Sequence, residues 1–145
     1  MKNLLVLLSA ICSSYLVQAQ HENHLTAATG GLSTGMVLEA ALTDSALKDY
    51  ELLSMTLNIP AGYADSTAHR HDADLFGYVL KGTVKIELEG GGMETYRQGQ
   101  MFHERRNILH KRLENGEAMG AAEVLIIYVI RKGRNRYTEQ KKNSE

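Results

Sequence analysis

Val84, Ile86 and Leu88 alternate with Lys85, Glu87 and Glu89, and Gly90-Gly91-Gly92 follows at once. Alternate residues of a strand face opposite ways, so this stretch has one face for a core and one for water. The run of glycines supplies the positive-φ freedom that a tight hairpin requires. Met93 to Arg97 is then the returning partner, and Gln98-Gly99 turns the chain again before a further short strand, Met101 to Glu104. Turns this short leave no room for crossovers, so the strands are expected to be antiparallel. The same pattern recurs on both sides. Tyr50 to Ile59 is apolar-rich and stops at Pro60-Ala61-Gly62, while Phe76 to Leu80 is closed by Lys81-Gly82. Val124 to Ile130 is a continuous, β-branched run expected to be a central strand buried on both faces. Ala40 to Leu47 holds helix formers without a sustained helical period. Short strands about 8–12 residues apart, joined by glycine turns, predict an all-β sandwich or barrel.

With 145 residues the chain is near the size of one domain. Its formal net charge of -1 argues against nucleic-acid binding, which needs a basic surface field. The N-terminus has the form of a secretory signal: Met1-Lys2-Asn3, an apolar Leu4 to Ile11, a weaker Cys12 to Val17, and a cleavage site after Ala19. The apolar run is shorter than the ~20 residues a spanning helix needs, so no membrane segment is expected in the mature form. Ile11 is too bulky to precede a lipidated Cys12. Residues 1–19 are therefore read as a signal peptide, and the protein as periplasmic or secreted. Cleavage would remove the single cysteine, leaving neither disulfide nor thiolate chemistry. Residues 20–35, rich in small and polar side chains, are expected to be a flexible lead-in. Residues 36–131 form the folded domain, and 132–145 a polar tail expected to fray.

The six histidines are the unusual count. His69 and His71 flank Arg70, so on a strand both imidazoles project from one face and can chelate one cation. His110 follows the glycine hairpin, and the chain between is long enough to return it beside that pair. His21 and His24 fall in the lead-in. His103 lies between Phe102 and Glu104, so it points outward if they point in. Tyr78 and Tyr128 are expected to be core residues with bonded hydroxyls.

Pro60-Ala61-Gly62, His69-Arg70-His71 and Phe76-Gly77-Tyr78-Val79-Leu80-Lys81-Gly82 together resemble the first motif of the cupin superfamily. Gly99, His110 and Asn115 resemble the second. The likeness covers roughly Leu52 to Val129 and is greatest to small single-domain cupins of the quercetin-dioxygenase-like type. It implies an antiparallel double-stranded β-helix (a jelly-roll barrel), a metal inside it, and a homodimer. The family's ligands are three His and one Glu, and the histidines carried over are His69, His71 and His110. The usual Glu position holds Leu75, which cannot bind metal, and Asp74 beside it is the candidate additional ligand. The second motif's Pro is Arg105 and its second Gly is Asn107, a residue that tolerates the left-handed conformation better than most.

Three imidazoles without a carboxylate leave a divalent metal its full charge and favour an anionic substrate. They suit Fe, Zn, Mn, Cu or Ni without choosing among them. Glu104 is a candidate distant ligand, hydrogen-bond partner to a ligand, or general base if it faces inward, and otherwise an edge-strand Glu pairing with Arg105 or Arg106. The leading expectation is an exported single-domain cupin that binds one divalent metal and engages a small oxygen-bearing molecule, with dioxygenation as one reaction. The alternatives are a metal-free module for a sugar or other small molecule, and an envelope interaction protein using its basic tail.

Overall fold

The computed structural model describes residues 31–141. They form β1 (Ser33–Ala41), β2 (Tyr50–Ile59), β3 (Ala64–Asp65), β4 (His69–Arg70), β5 (Ala73–Lys81), β6 (Thr83–Leu88), β7 (Met93–Arg97), β8 (Met101–Glu104), β9 (Leu109–Asn115), β10 (Ala122–Arg131) and β11 (Thr138–Glu139). A single 3-10 turn, Ser45–Leu47, interrupts the strands among the described residues, and Asp44 caps it by accepting from Ala46 N at 2.8 Å. One sheet has the order β1-β2-β10-β5-β8 and the other β11-β4-β9-β6-β7, with β3 added on β9. All the pairings are antiparallel. The chain passes between sheets as it winds, which makes this the all-β, antiparallel double-stranded β-helix expected from the motifs. No helix of the described residues is long and apolar enough to cross a membrane.

Period-two patterning sets which side chains fill the barrel. On β5, Ala73, Leu75, Gly77 and Val79 point in; on β10, Ala122, Val124, Ile126, Tyr128 and Ile130 do. The outer residues of β10, among them Leu125, Ile127 and Val129, are half-buried. The expectation of burial on both faces is therefore corrected: β10 is flanked by β2 and β5 on its edges, but only one of its faces lies in the core. Tyr128 is in the core as expected, whereas Tyr78 faces out. The Val84-to-Arg97 hairpin forms as read, with Gly90 at φ +80°.

Two boundaries differ from expectation. The lead-in was expected to run to residue 35, yet β1 begins at Ser33 because Ser33, Thr34 and Gly35 pair with Asn58, Leu57 and Thr56. The tail from Lys132 was expected to fray, yet its described part crosses back over the barrel. Asp72 N donates to Asn135 O at 3.3 Å, β11 pairs with β4, and Gln140 N donates to Ala68 O at 2.8 Å. Main-chain pairing leaves no apolar period in the sequence, which is why a polar stretch hid an ordered strap. The signal peptide, His21 and His24 lie outside the described residues.

The turn that replaces the second motif's Pro and Gly survives. Asn107 adopts φ +60°, its N–H donates to His71 O at 2.8 Å, and Ile108 N donates to Arg105 O at 3.0 Å. Asn115 closes the domain from inside: its Nδ2 donates to the carbonyls of Ile59, Pro60 and Gly120, each at 3.0 Å, and its Oδ1 accepts from Glu117 N.

Candidate metal centre

His69 on β4 and His110 on β9 are directly paired across the two strands, and their rings stack with centroids 4.7 Å apart. His71, one residue past β4, meets His69 edge-on at 4.9 Å. Each imidazole presents one nitrogen to a main-chain carbonyl. His69 Nδ1 meets Thr67 O at 2.9 Å, His71 Nδ1 meets Arg136 O, and His110 Nε2 meets Arg112 O at 3.0 Å. A carbonyl oxygen only accepts, so the nitrogen facing it carries the proton and donates. In the neutral ring this leaves lone pairs on His69 Nε2, His71 Nε2 and His110 Nδ1. One nitrogen from each of the three rings lies within 4.8 Å of the others, close enough to bind one metal ion. Burial holds the His69 and His71 pKa values below the ordinary imidazole range, which favours the neutral, ligating form.

The surroundings that aim these rings come from separate parts of the chain. Asp65 Oδ1 accepts from Thr67 N at 2.8 Å and from its hydroxyl at 2.7 Å, a local turn that fixes the Thr67 carbonyl under His69. The C-terminal strap supplies the Arg136 carbonyl to His71 and stacks Tyr137 on His69 at 4.4 Å. Sequence reading missed this contribution. Tyr137, the lone aromatic in a polar run, was the only signal for it.

Glu104 faces inward, as its parity with Phe102 required, and is 3% exposed. Its Oε1 lies 3.1 Å from His110 Nδ1 and its Oε2 3.7 Å from His71 Nε2. Oε2 is buried without a hydrogen-bond partner. The edge-strand pairing with Arg105 or Arg106 does not form; Arg106 instead bonds Asp72. Asp74 does not reach the site. It lies on the outer side of β5 and takes His103 Nε2 at 2.9 Å, while the His103 ring stacks on Phe76. A strand sends neighbouring side chains to opposite faces, so Asp74 cannot stand in for Leu75.

The histidines and Glu104 line a cavity of about 350 Å³, whose other walls include Leu57, Ile59, Leu75, Ile86, Phe102 and Tyr128. Burial pushes the Tyr128 pKa up to about 12, so its phenol stays protonated. No Lys or Arg lines the cavity among the described residues. The expected set of three imidazoles without a carboxylate is corrected, because the Glu104 carboxylate sits beside two of them. The donor set fits a borderline divalent metal, since imidazole nitrogens and one unpartnered carboxylate oxygen converge in a mainly apolar cavity.

The fold recurs widely among solved structures. KdgF from Halomonas sp. matches with a TM-score of 0.59 and 20% identity, over 78% of this chain and 93% of that one. DMSP lyase DddQ from Ruegeria pomeroyi DSS-3 matches at 0.54 and 16% identity, over 65% of this chain and 45% of the lyase. A variant of oxalate decarboxylase OxdC from Bacillus subtilis matches at 0.60 and 15% identity, over 81% of this chain and 30% of the decarboxylase. This chain therefore spans under half the length of either enzyme. No curated protein matches the sequence. The family model described as a cupin domain matches residues 55–128, a span that holds β5 to β9 and all three clustered histidines. This protein is a member of the cupin family.

Proposed function

We propose that this cupin is exported and holds one divalent metal through His69, His71 and His110. In the cavity beside the metal it would bind a small, largely apolar molecule with an oxygen donor at one end. The observation that carries this reading is the convergence of the three rings within 4.8 Å at one wall of the apolar cavity. A volume of about 350 Å³ suits a compact ligand. The metal would supply Lewis acidity toward the ligand's oxygen, and a redox-active metal such as iron would fit dioxygenation. Metal-free sugar binding is the weaker reading, because a sugar needs hydroxyl partners on many sides and these walls are mainly aliphatic and aromatic.

Export rests on the signal-like residues 1–19, and N-terminal sequencing of protein recovered from the periplasm or medium should begin at Gln20. The proposed homodimer would use β1, the edge strand of its sheet among the described residues, on which Met36, Val37 and Leu38 are each about half exposed. Sedimentation analysis tests it.

The test of the site is metal analysis of protein purified without an affinity tag, followed by chelation and melting with added Fe, Mn, Zn, Cu or Ni. A ligand bound only by the folded state raises Tm by mass action. The gain should appear in the native chain and vanish in H69A and H71A. A native chain that carries no metal and gains nothing from any of these ions refutes the reading.

A further inference from the structure

We propose that Glu104 is the carboxylate ligand of this centre, transferred from β5 to the neighbouring strand β8. This rests on the metal reading above and goes beyond it by assigning a fourth ligand. Leu75, at the usual Glu position, is the register partner of Glu104 in the β5–β8 ladder. Directly opposed residues of an antiparallel pair project from the same face, with Cβ atoms about 4.5–5.5 Å apart. Leu75 and Glu104 both point inward and both line the cavity. A carboxylate on either strand can therefore serve the same small volume. The ladder exchanges which strand carries the acid and which the aliphatic filler.

The hydrogen-bond roles point the same way. His71 and His110 spend their N–H groups on the carbonyls of Arg136 and Arg112. Their remaining nitrogens hold lone pairs in the neutral rings, and these are the atoms that face Glu104 Oε2 and Oε1, at 3.7 and 3.1 Å. Acceptor facing acceptor in a buried place is repulsive unless a cation lies between them. Either a proton or a metal ion can fill that role. A proton on His110 would satisfy Oε1 alone. A metal would serve Oε2 as well, the buried oxygen left without a partner, together with the third lone pair on His69. The geometry thus favours one cation shared by three imidazoles and the carboxylate.

The experiment compares the native chain with E104Q, E104L and the transposed double variant L75E/E104L. Each is stripped by chelation and titrated with Zn and Cu(II) against a chromophoric competitor, with the Cu(II) electron paramagnetic resonance spectrum as a second readout. Loss of the carboxylate should weaken metal binding by about 10-fold or more and shift the copper hyperfine pattern as an oxygen donor is lost. The transposed variant should recover most of the affinity and the native-like spectrum, because its carboxylate returns across the same ladder. A residue that merely oriented His110 from β8 would not be rescued from β5. Without metal, E104L should melt at or above the native chain, since it removes a partnerless buried oxygen.

Native affinity and an unchanged spectrum in E104L would overturn the proposal while leaving the three-histidine site standing. So would a metal-free E104L that melts well below the native chain, which would mark a structural pair with protonated His110. Absence of metal binding in the native chain would overturn the site reading and this inference together.

Discussion

Gly77→Ala is expected to destabilise the protein, although the same change usually helps a strand. Removing a glycine from a strand interior ordinarily gains about 0.5–1 kcal/mol, through a less flexible unfolded chain. Gly77 lies on β5 directly opposite Phe102 on β8, and the Phe102 ring covers it. A Cβ there would meet Phe102 Cζ at 2.0 Å, Cε1 at 2.3 Å and Cε2 at 2.5 Å. Those atoms belong to a rigid ring that is 8% exposed and packs on Tyr96 at 5.1 Å, so the whole side chain must swing. Overpacking costs about 1–3 kcal/mol, and a clash this close with a rigid ring lies in the upper part of that range, about 2–3 kcal/mol, so the entropic gain leaves a net loss of about 1–2 kcal/mol. For a domain of this size that is a fall in Tm of roughly 3–8 °C. Urea unfolding of Gly77→Ala, Phe102→Leu and the double variant, all in chelator, measures it as a cycle. The double variant should be less destabilised than the sum of the single changes by about 1 kcal/mol or more, because the clash disappears with the ring. A Gly77→Ala protein as stable as the native chain, or additivity within about 0.5 kcal/mol, would refute the reasoning.

Truncation after Gly133 removes the carbonyl that holds His71 and the Tyr137 ring on His69, but no residue of the buried core. Metal binding by competition titration should weaken about 10–100-fold while the barrel still unfolds cooperatively; undiminished affinity would show that the strap does not orient the ligands. Asp74→Ala and His103→Ala break only an outer-face pair, so metal-linked stabilisation should persist in both, and its loss from Asp74→Ala would place that carboxylate at the metal after all. Burial lifts both Tyr96 and Tyr128 to about 12, with a bond to Glu94 adding to the effect on Tyr96. The folded state then holds protons that the unfolded state sheds between pH 10 and about 12, so stability falls as pH rises through that window. Phenolate absorbance should show these two tyrosines ionising last, and Tyr128→Phe should flatten the loss.

The regular part of the barrel was legible because it is repetitive. Tyr50–Ile59, Met93–Arg97 and Met101–Glu104 have the bounds that their patterns and turns indicate. β1 was not read as a strand, since Met36, Val37 and Leu38 are consecutive, exposed and apolar, which erases the polar-apolar alternation. β3, β4 and β11 have two residues each, too few for any period to show. The clustering of His69, His71 and His110 was legible from spacing and motif, and the turn at Asn107 from that residue's tolerance of a left-handed conformation.

By itself the sequence determined which side chains face inward along the regular strands, because period two is a property of the strand and needs no partner. That made the orientation of Glu104 follow from that of Phe102 on β8, whereas the pairing of His69 with His71 was read from their spacing and the motif around them. Only the tertiary structure decided who meets whom across strands. The β5–β8 register sets Glu104 opposite Leu75, and the returning strap sets Arg136 and Tyr137 on the histidine pair. Register and long-range main-chain hydrogen bonds depend on how sheets close on one another. The carboxylate that position 75 lacks along the chain therefore stands one strand away, on Glu104.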